Sequence, residues 1–515
     1  MPSLLRPAAA AGLLAALAAP AGASAQDPVG AVRAYRERHE ATILRELAEL
    51  LAIPNVAADS ANIRRNAAAL VTLLERRGVR ARLLETGGPP LVYGELGDSA
   101  RPTVLFYCHY DGQPADAARW VTGDPWRPAL FTAALEAGGA EITRWPAAGE
   151  RVPDEWRVYA RSASDDKAPI VALLAVLDAW RAAGIAPPNR LKFLFEGDEE
   201  AGSSFIADAV RRHRARLRAD LVVIADGPIH PSNRPTAVFG VRGIVTVRLT
   251  LYGPLRPLHS GHYGNWAPNP AMRLAQLLAG MKGPDGAVLV NGWEDDVVPP
   301  GAAERAAIAA YPHDDEAQRL QFQLGSTDGG GRSRLELVMR PSLNVRGLRS
   351  LFTGAAVRTL VPDVAVAELD LRLAPGNDPA RQVAKLVRHV EREGYRVVRA
   401  EPDSATRVNT PRLVRVEADA GYPAARTPLD HPAARAVVAA LAAAGLGEPV
   451  VTPVLGGSVP AYVFTDRLGA PLVLVPTVNH DNNQHAENEN VRLGNLFRGM
   501  EILAAVAAAD VGQRP

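Results

Sequence analysis

The sequence predicts an α/β domain, with a sheet covered by helices on both faces, interrupted by a smaller α+β domain. Three observations predict it. Short apolar runs at residues 104–108, 191–195, 221–225 and 472–475 are followed by polar residues, as expected of buried strands. Helical stretches such as 170–183 lie between some of these runs, and strands alternating with helices build a sheet covered on both sides. The middle of the chain has another style. Residues 245–251 and 365–373 read as strands, and 271–281 and 380–393 read as amphipathic helices. The run at 472 returns to the first style, so residues 241–425 are expected as an insertion between a first part, 26–240, and a second part, 426–515.

Taken in order, residues 1–25 read as an export signal. Arg6 supplies positive charge, residues 8–19 form an apolar run too short to span a bilayer comfortably, and Ala23-Ser24-Ala25 fits the small-x-small rule for cleavage after Ala25. No cysteine follows to carry a lipid, so the mature chain is expected in the periplasm or outside the cell without a stable membrane anchor. Cys108 is the single cysteine, which excludes an intramolecular disulfide and a cysteine-based zinc cluster. Across 515 residues, 57 Lys and Arg balance 56 Asp and Glu, which gives no reason to expect a nucleic-acid partner. A composition 47% hydrophobic and 22% charged excludes a mostly disordered chain and a multi-span membrane protein. Residues 30–80 read as helical, with Leu44, Leu47, Leu50 and Leu51, then Leu70, Leu73 and Leu74, at helical spacing. Gly329-Gly330-Gly331 reads as a loop tip.

Ligands of an open α/β sheet bind beyond the carboxyl ends of its strands. The residues there are His109 and Asp111 after the first run, Asp198, Glu199 and Glu200 after the second, Asp226 after the third, and His485 beyond a loop after the fourth. Asp165-Asp166 precedes the helix near Ile170. Singly, each has a plain reading: a helix cap for Asp165 or Asp166, a solvated turn for Glu199-Glu200, a hydrogen-bonded core side chain for His109. Jointly they converge on one sheet edge, where so many carboxylates repel one another unless cations lie among them. Imidazole and carboxylate donors suit Zn²⁺, with Mn²⁺ and Co²⁺ as close rivals, and the number of donors suits two metals.

The set His109-Tyr110-Asp111-Gly112-Gln113-Pro114, Ser164-Asp165-Asp166-Lys167, Gly197-Asp198-Glu199-Glu200-Ala201-Gly202-Ser203, Leu258-His259-Ser260-Gly261 and the late His485 resembles the M20 metallopeptidases. That family includes carnosinase-like dipeptidases, glutamate carboxypeptidases, aminoacylases and succinyl-diaminopimelate desuccinylases. The resemblance implies a mixed-sheet catalytic domain and a lid that serves dimerisation. It implies that His109 and Asp226 hold one metal, that His485 and Glu200 hold the other, and that Asp165 bridges them. Asp111 would orient His109 from behind, and Glu199 would be the general base. His259 would reach the active site of a partner subunit. Arg372, thirteen residues after Thr359, would hold the substrate's free carboxylate beside Gly456-Gly457-Ser458.

The implied function is a secreted di-zinc, homodimeric peptidase acting on dipeptides or on C-terminal residues of short peptides. Deacylation of N-acyl amino acids on the same fold is the alternative. The sequence departs from the family at Ala160-Arg161-Ser162-Ala163, where Gly-Arg-Gly-Ala is common, and at Ala168. Residues 132–154 look like an extra loop that could narrow the substrate range, and His262 and Trp266 stand where small residues are usual.

Overall fold

The computed structural model describes residues 27–512, so the export signal expected at 1–25 lies outside the described residues. Its main sheet has eight strands in the order Arg80–Leu84, Leu91–Leu96, Arg190–Glu196, Thr103–His109, Leu221–Ile224, Leu472–Leu474, Thr236–Val238, Val450–Thr452. The four strands from Arg190–Glu196 to Leu472–Leu474 run parallel. Antiparallel neighbours flank them, so the sheet is mixed.

The apolar runs are continuous because both faces are covered. In Thr103–His109 every residue is buried. Val104, Phe106 and Cys108 enter one core, and Leu105 and Tyr107 enter the other. Helices Pro28–Leu51, Lys167–Ala182 and Leu493–Ala507 pack together over the first face. Ile206, Ala209 and Val210, with Val463, Phe464 and Leu468, cover the second. Each large apolar side chain buried this way contributes about 1.5–3 kcal/mol. A one-residue slip would exchange the two faces, so the register is firmly set.

From Thr103–His109 the chain passes to Arg190–Glu196 on one side, then to Leu221–Ile224 on the other. The strand order reverses there, which opens a crevice beyond the carboxyl ends. His109 pairs with Glu196 at that edge, and Asp111, Glu199, Glu200 and Asp226 follow within a few residues.

The second sheet has five strands, in the order Ser342–Arg349, Val364–Leu373, Gly243–Tyr252, Leu413–Ala418, Arg396–Val398. Two of these were legible in the sequence. Of the other three, Leu413–Ala418 is an inner strand that the sequence reading passed over, Ser342–Arg349 is an edge strand that is largely exposed, and Arg396–Val398 is three residues long. Helices Pro270–Met281 and Pro379–Arg392 cover one face, with Leu274, Leu277, Leu386 and Val390 against Val245, Val247, Leu249 and Leu251.

A small third sheet joins Asn490–Arg492, Arg157–Tyr159, Ala129–Phe131 and Glu141–Ile142. Residues 132–154 therefore form more than a loop, since they contribute its edge strand. They are tied to helix Pro28–Leu51, where Arg45 donates to the Pro146 carbonyl at 2.9 Å and the Val152 amide donates to Glu40 at 2.7 Å. None of their described hydrogen bonds or ion pairs reaches His109, Asp165, Glu200, Asp226 or His485. Gly329, Gly330 and Gly331 all have positive φ, as a loop tip requires. Among the described residues, no helix is long and apolar enough to cross a membrane.

Candidate metal centre and active site

The residues expected at the crevice meet there. His109 is fully buried at the end of its strand. Its Nε2 lies 2.7 Å from Asp165 Oδ1, and the other oxygen of Asp165 lies 3.1 Å from His485 Nε2. Asp165 thus stands between the two histidines with one oxygen toward each. Glu200 Oε2 lies 3.3 Å from His485 Nε2. The donor atoms of Asp165, Glu200 and His485 form one group within 4.8 Å of one another, and those of His109, Asp166 and Asp226 form a second.

Asp111 works from behind. Its carboxylate lies 3.4 Å from His109 Nδ1 and accepts the backbone N–H groups of Glu199, at 3.2 Å, and Glu200, at 3.0 Å. The Asp111 backbone carbonyl lies 3.3 Å from the same Nδ1, so this buried residue faces the imidazole with both groups while its carboxylate fixes the loop that carries both glutamates. Gly197 lets that loop pass, because a Cβ there would meet the Tyr110 ring at 2.5 Å.

The electrostatics suit a divalent cation. Burial, then the negative charge of Asp165, raises the Asp226 carboxyl to about 6 and the Glu200 carboxyl to about 7. Burial also holds Glu199 well above the usual carboxylate range, opposed by His109 and reinforced by Asp226, Asp165 and Glu200. His485 rises to about 9, chiefly through its hydrogen bond to Asp165. One oxygen of Asp226 and one of Asp166 are buried without a hydrogen-bond partner. A buried, unpartnered carboxylate oxygen is costly, and a metal ligand is what such an atom can become. The residues present fit a pair of divalent cations.

Several contributors had no assigned role. Asp166, read with Asp165 as part of the acidic set or as a helix cap, stands at the N-cap of Lys167–Ala182 without a capping side-chain bond. Its carboxylate accepts the His109 backbone N–H instead, at 3.2 Å. Gln484 donates to Asp165 at 2.6 Å, and Gln113 donates to Glu200 at 2.7 Å. Glu489 is fully buried. It accepts from the backbone of Ser164 and Asp165 and from the Ser164 hydroxyl on Oε1, all at 2.9 Å. Its Oε2 accepts from the Ser162 backbone at 2.9 Å and from Arg161 at 2.8 Å. Ser162, where the family commonly has glycine, takes a φ of 63°. The bond to Glu489, with one from Asn55 to its hydroxyl, holds it in that left-handed conformation. The sequence signal for Glu489 was slight: an acidic residue four positions after His485.

The substrate-binding residues implied by the resemblance fall in two places. Arg372 Nη1 donates to Ser458 Oγ at 2.8 Å, and the Arg242 backbone N–H donates to Gly457 at 3.2 Å, so Arg372, Gly457 and Ser458 form one constellation between the domains. A Cβ on Gly457 would meet nothing nearer than Leu455 at 3.8 Å, so the chain's own packing does not require glycine there. His259 and Thr359 lie together on the lid, joined by the Ser260 N–H to the Thr359 carbonyl at 2.9 Å, and both are exposed. The His262 ring lies tilted at 40° to that of His259 with centroids 4.7 Å apart, and Trp266 is 79% exposed. Among the described contacts, none joins this patch to the histidine–carboxylate cluster of the same chain.

A profile of peptidase family M20/M25/M40 matches residues 105–509, most of the chain. The chain belongs to this family. It is a metal-dependent hydrolase, in agreement with the sequence reading. It is 26% identical over 451 residues to human Beta-Ala-His dipeptidase, covering 84% of this chain and 82% of that one. It is 24% identical over 420 residues to the Cys-Gly metallodipeptidase of Schizosaccharomyces pombe, covering 80% and 81%. Among solved structures, an M20 family metallo-carboxypeptidase from Sulfolobus solfataricus superposes with a TM-score of 0.73 at 27% identity, covering 91% of this chain and 99% of that one. Human carnosine dipeptidase 1 superposes at 0.69 with 25% identity, covering 93% and 99%.

Proposed function

We propose that the protein is an exported dipeptidase that holds two divalent cations, zinc in the first instance, and acts as a homodimer. The observation that carries this reading is Asp165, which presents one oxygen to each of two histidine–carboxylate groups while Glu199 beside them keeps its carboxylate free of any described hydrogen bond. His109, Asp226 and Asp165 would hold one cation, and His485, Glu200 and Asp165 the other. When bound, such a pair polarises the scissile carbonyl and makes water nucleophilic near neutral pH.

The protein's own groups do the rest. Glu199 takes the proton from the attacking water and returns one to the leaving amine nitrogen. Glu199 is itself buried, and burial first, then the nearby carboxylates, raises its carboxyl above the usual range. Arg372, already oriented by Ser458, holds the substrate's free carboxylate through a planar guanidinium. The exposed patch of His259 and Thr359 fits the lid of one subunit serving the site of a second copy, where His259 would donate to the developing oxyanion. The named activities of the relatives, on Cys-Gly and Beta-Ala-His, support a dipeptide substrate. Residues 1–25 would direct export.

The test combines metal analysis with a substrate panel. The purified protein should carry two divalent ions per chain, lose activity to a chelator, and cleave dipeptides faster than N-acetyl or N-succinyl amino acids. Glu199→Gln should keep its metal and lose about 10²–10⁴-fold in kcat. A preference for N-acyl amino acids would replace dipeptidase by deacylase. Mature protein whose first residue is not Gln26 would sink the cleavage site.

A further inference from the structure

On strand Gly243–Tyr252, Ile244 is paired with Arg372 on one side and with Tyr422 on the other. The second pairing is reciprocal, with Ile244 N–H to Tyr422 at 3.0 Å and Tyr422 N–H to Ile244 at 2.9 Å. Residues directly opposite in antiparallel pairs share a face. The next residue, Val245, points into the lid core, so Ile244, Arg372 and Tyr422 occupy the other face. Two strand spacings put Tyr422 roughly 10 Å from Arg372 along the sheet.

Tyr462 stacks on Tyr422, with ring centroids 6.0 Å apart and an interplanar angle of 14°. Tyr462 packs at the margin of the catalytic core, four residues beyond Ser458, the partner of Arg372. The pair thus takes one ring from each side of the interdomain cleft. Both rings are half-buried, and among the described residues neither hydroxyl makes a hydrogen bond. The Tyr422 phenol is pushed up to about 12, first by burial and then by the charge of Glu199, with Arg372 opposing. The ring therefore lies within electrostatic reach of both the base and the carboxylate anchor.

This inference rests on the dipeptidase reading above. In a dipeptide, a single Cα separates the free carboxylate from the scissile nitrogen. With the carboxylate at Arg372 and the amide at Glu199, the C-terminal side chain leaves the backbone between those two groups. We propose that Tyr422 and Tyr462 form the wall that receives this side chain and select dipeptides whose C-terminal residue is aromatic. A flat aromatic surface rewards an aromatic partner by offset or edge-to-face packing and gives nothing to glycine.

The experiment measures kcat/KM of the metal-loaded protein for Ala-Phe, Ala-Leu and Ala-Gly. Ala-Phe should exceed Ala-Gly by about tenfold or more. Tyr422→Ala and Tyr462→Ala should each lower the Ala-Phe to Ala-Gly ratio about tenfold, mainly through KM for Ala-Phe, while Tyr422→Phe and Tyr462→Phe should retain it. A wild-type ratio near one, or a ratio unchanged in both alanine variants, overturns the wall and leaves the dipeptidase reading standing. A wild-type protein that cleaves none of the three overturns both.

Discussion

Glu489→Gln tests how the Asp165 loop is held. The substitution keeps the shape of the side chain and exchanges one acceptor oxygen for an NH₂ donor. Five donors converge on Glu489, three on one oxygen and two on the other. Whichever way the amide is turned, its NH₂ faces at least two N–H groups that need an acceptor. If it faces Arg161, a guanidinium only 2% exposed loses its carboxylate. Breaking a buried pair in this way costs about 3–5 kcal/mol. If it faces Ser164 and Asp165, two backbone N–H groups lose their acceptor while the Ser164 hydroxyl can turn to accept from the amide, at about 1–3 kcal/mol for each buried group left unsatisfied. Across the two orientations the expected loss of stability is about 2–6 kcal/mol, read as a lower denaturant midpoint at unchanged slope. Because the same carboxylate holds the backbone of Asp165, metal affinity should weaken about 10–100-fold, measured by competition with a chromophoric chelator. A variant with wild-type stability and wild-type metal affinity would refute the assignment of Glu489 as the clamp of this loop.

Asp111→Asn should weaken metal binding about 10–100-fold in the same competition assay, because its carboxylate orients His109 and holds the Glu199 and Glu200 amides; unchanged affinity would remove that role. Arg372→Ala should raise KM for dipeptides by at least about tenfold while sparing the corresponding peptide amides, which lack the carboxylate; an equal effect on both would count against a carboxylate anchor. Asp481 is lowered to about 2; burial opposes the shift, and the hydrogen bond from Arg157 is the chief cause of it. A depressed carboxylate stabilises the fold above its unfolded pKa, near 3.9, and that contribution is lost as pH falls through about 2. The stability difference between wild type and Asp481→Asn should therefore be constant above about pH 4 and shrink toward pH 2; a difference that grows on acidification would contradict the sign.

The sequence by itself determined the chemistry of the crevice and the style of the main sheet. Apolar runs ending in His109, Glu199, Glu200 and Asp226 are local facts, and the rule that ligands gather at carboxyl strand ends turns them into a site. His485 and Asp165 joined that set by position, and the M20 resemblance named their roles. The tertiary structure decided what depends on long-range register. Glu489 clamps a loop more than three hundred residues earlier in the chain, and its place four residues after His485 marks it only slightly, because burial of a charge is legible only once its donors are in place. Whether Asp166 caps a helix or joins the acidic set was open until the strand ending at His109 came within reach of it. Arg372 meets Ser458, and Tyr422 meets Tyr462, only because the lid returns to the catalytic domain there. The lid's edge strands escaped detection because exposed or very short strands carry no alternation. Local pattern fixes which face of an element is apolar. Which polar groups satisfy one another across the chain is settled by packing, because a hydrogen bond depends on positions in space and leaves no periodic trace in the sequence.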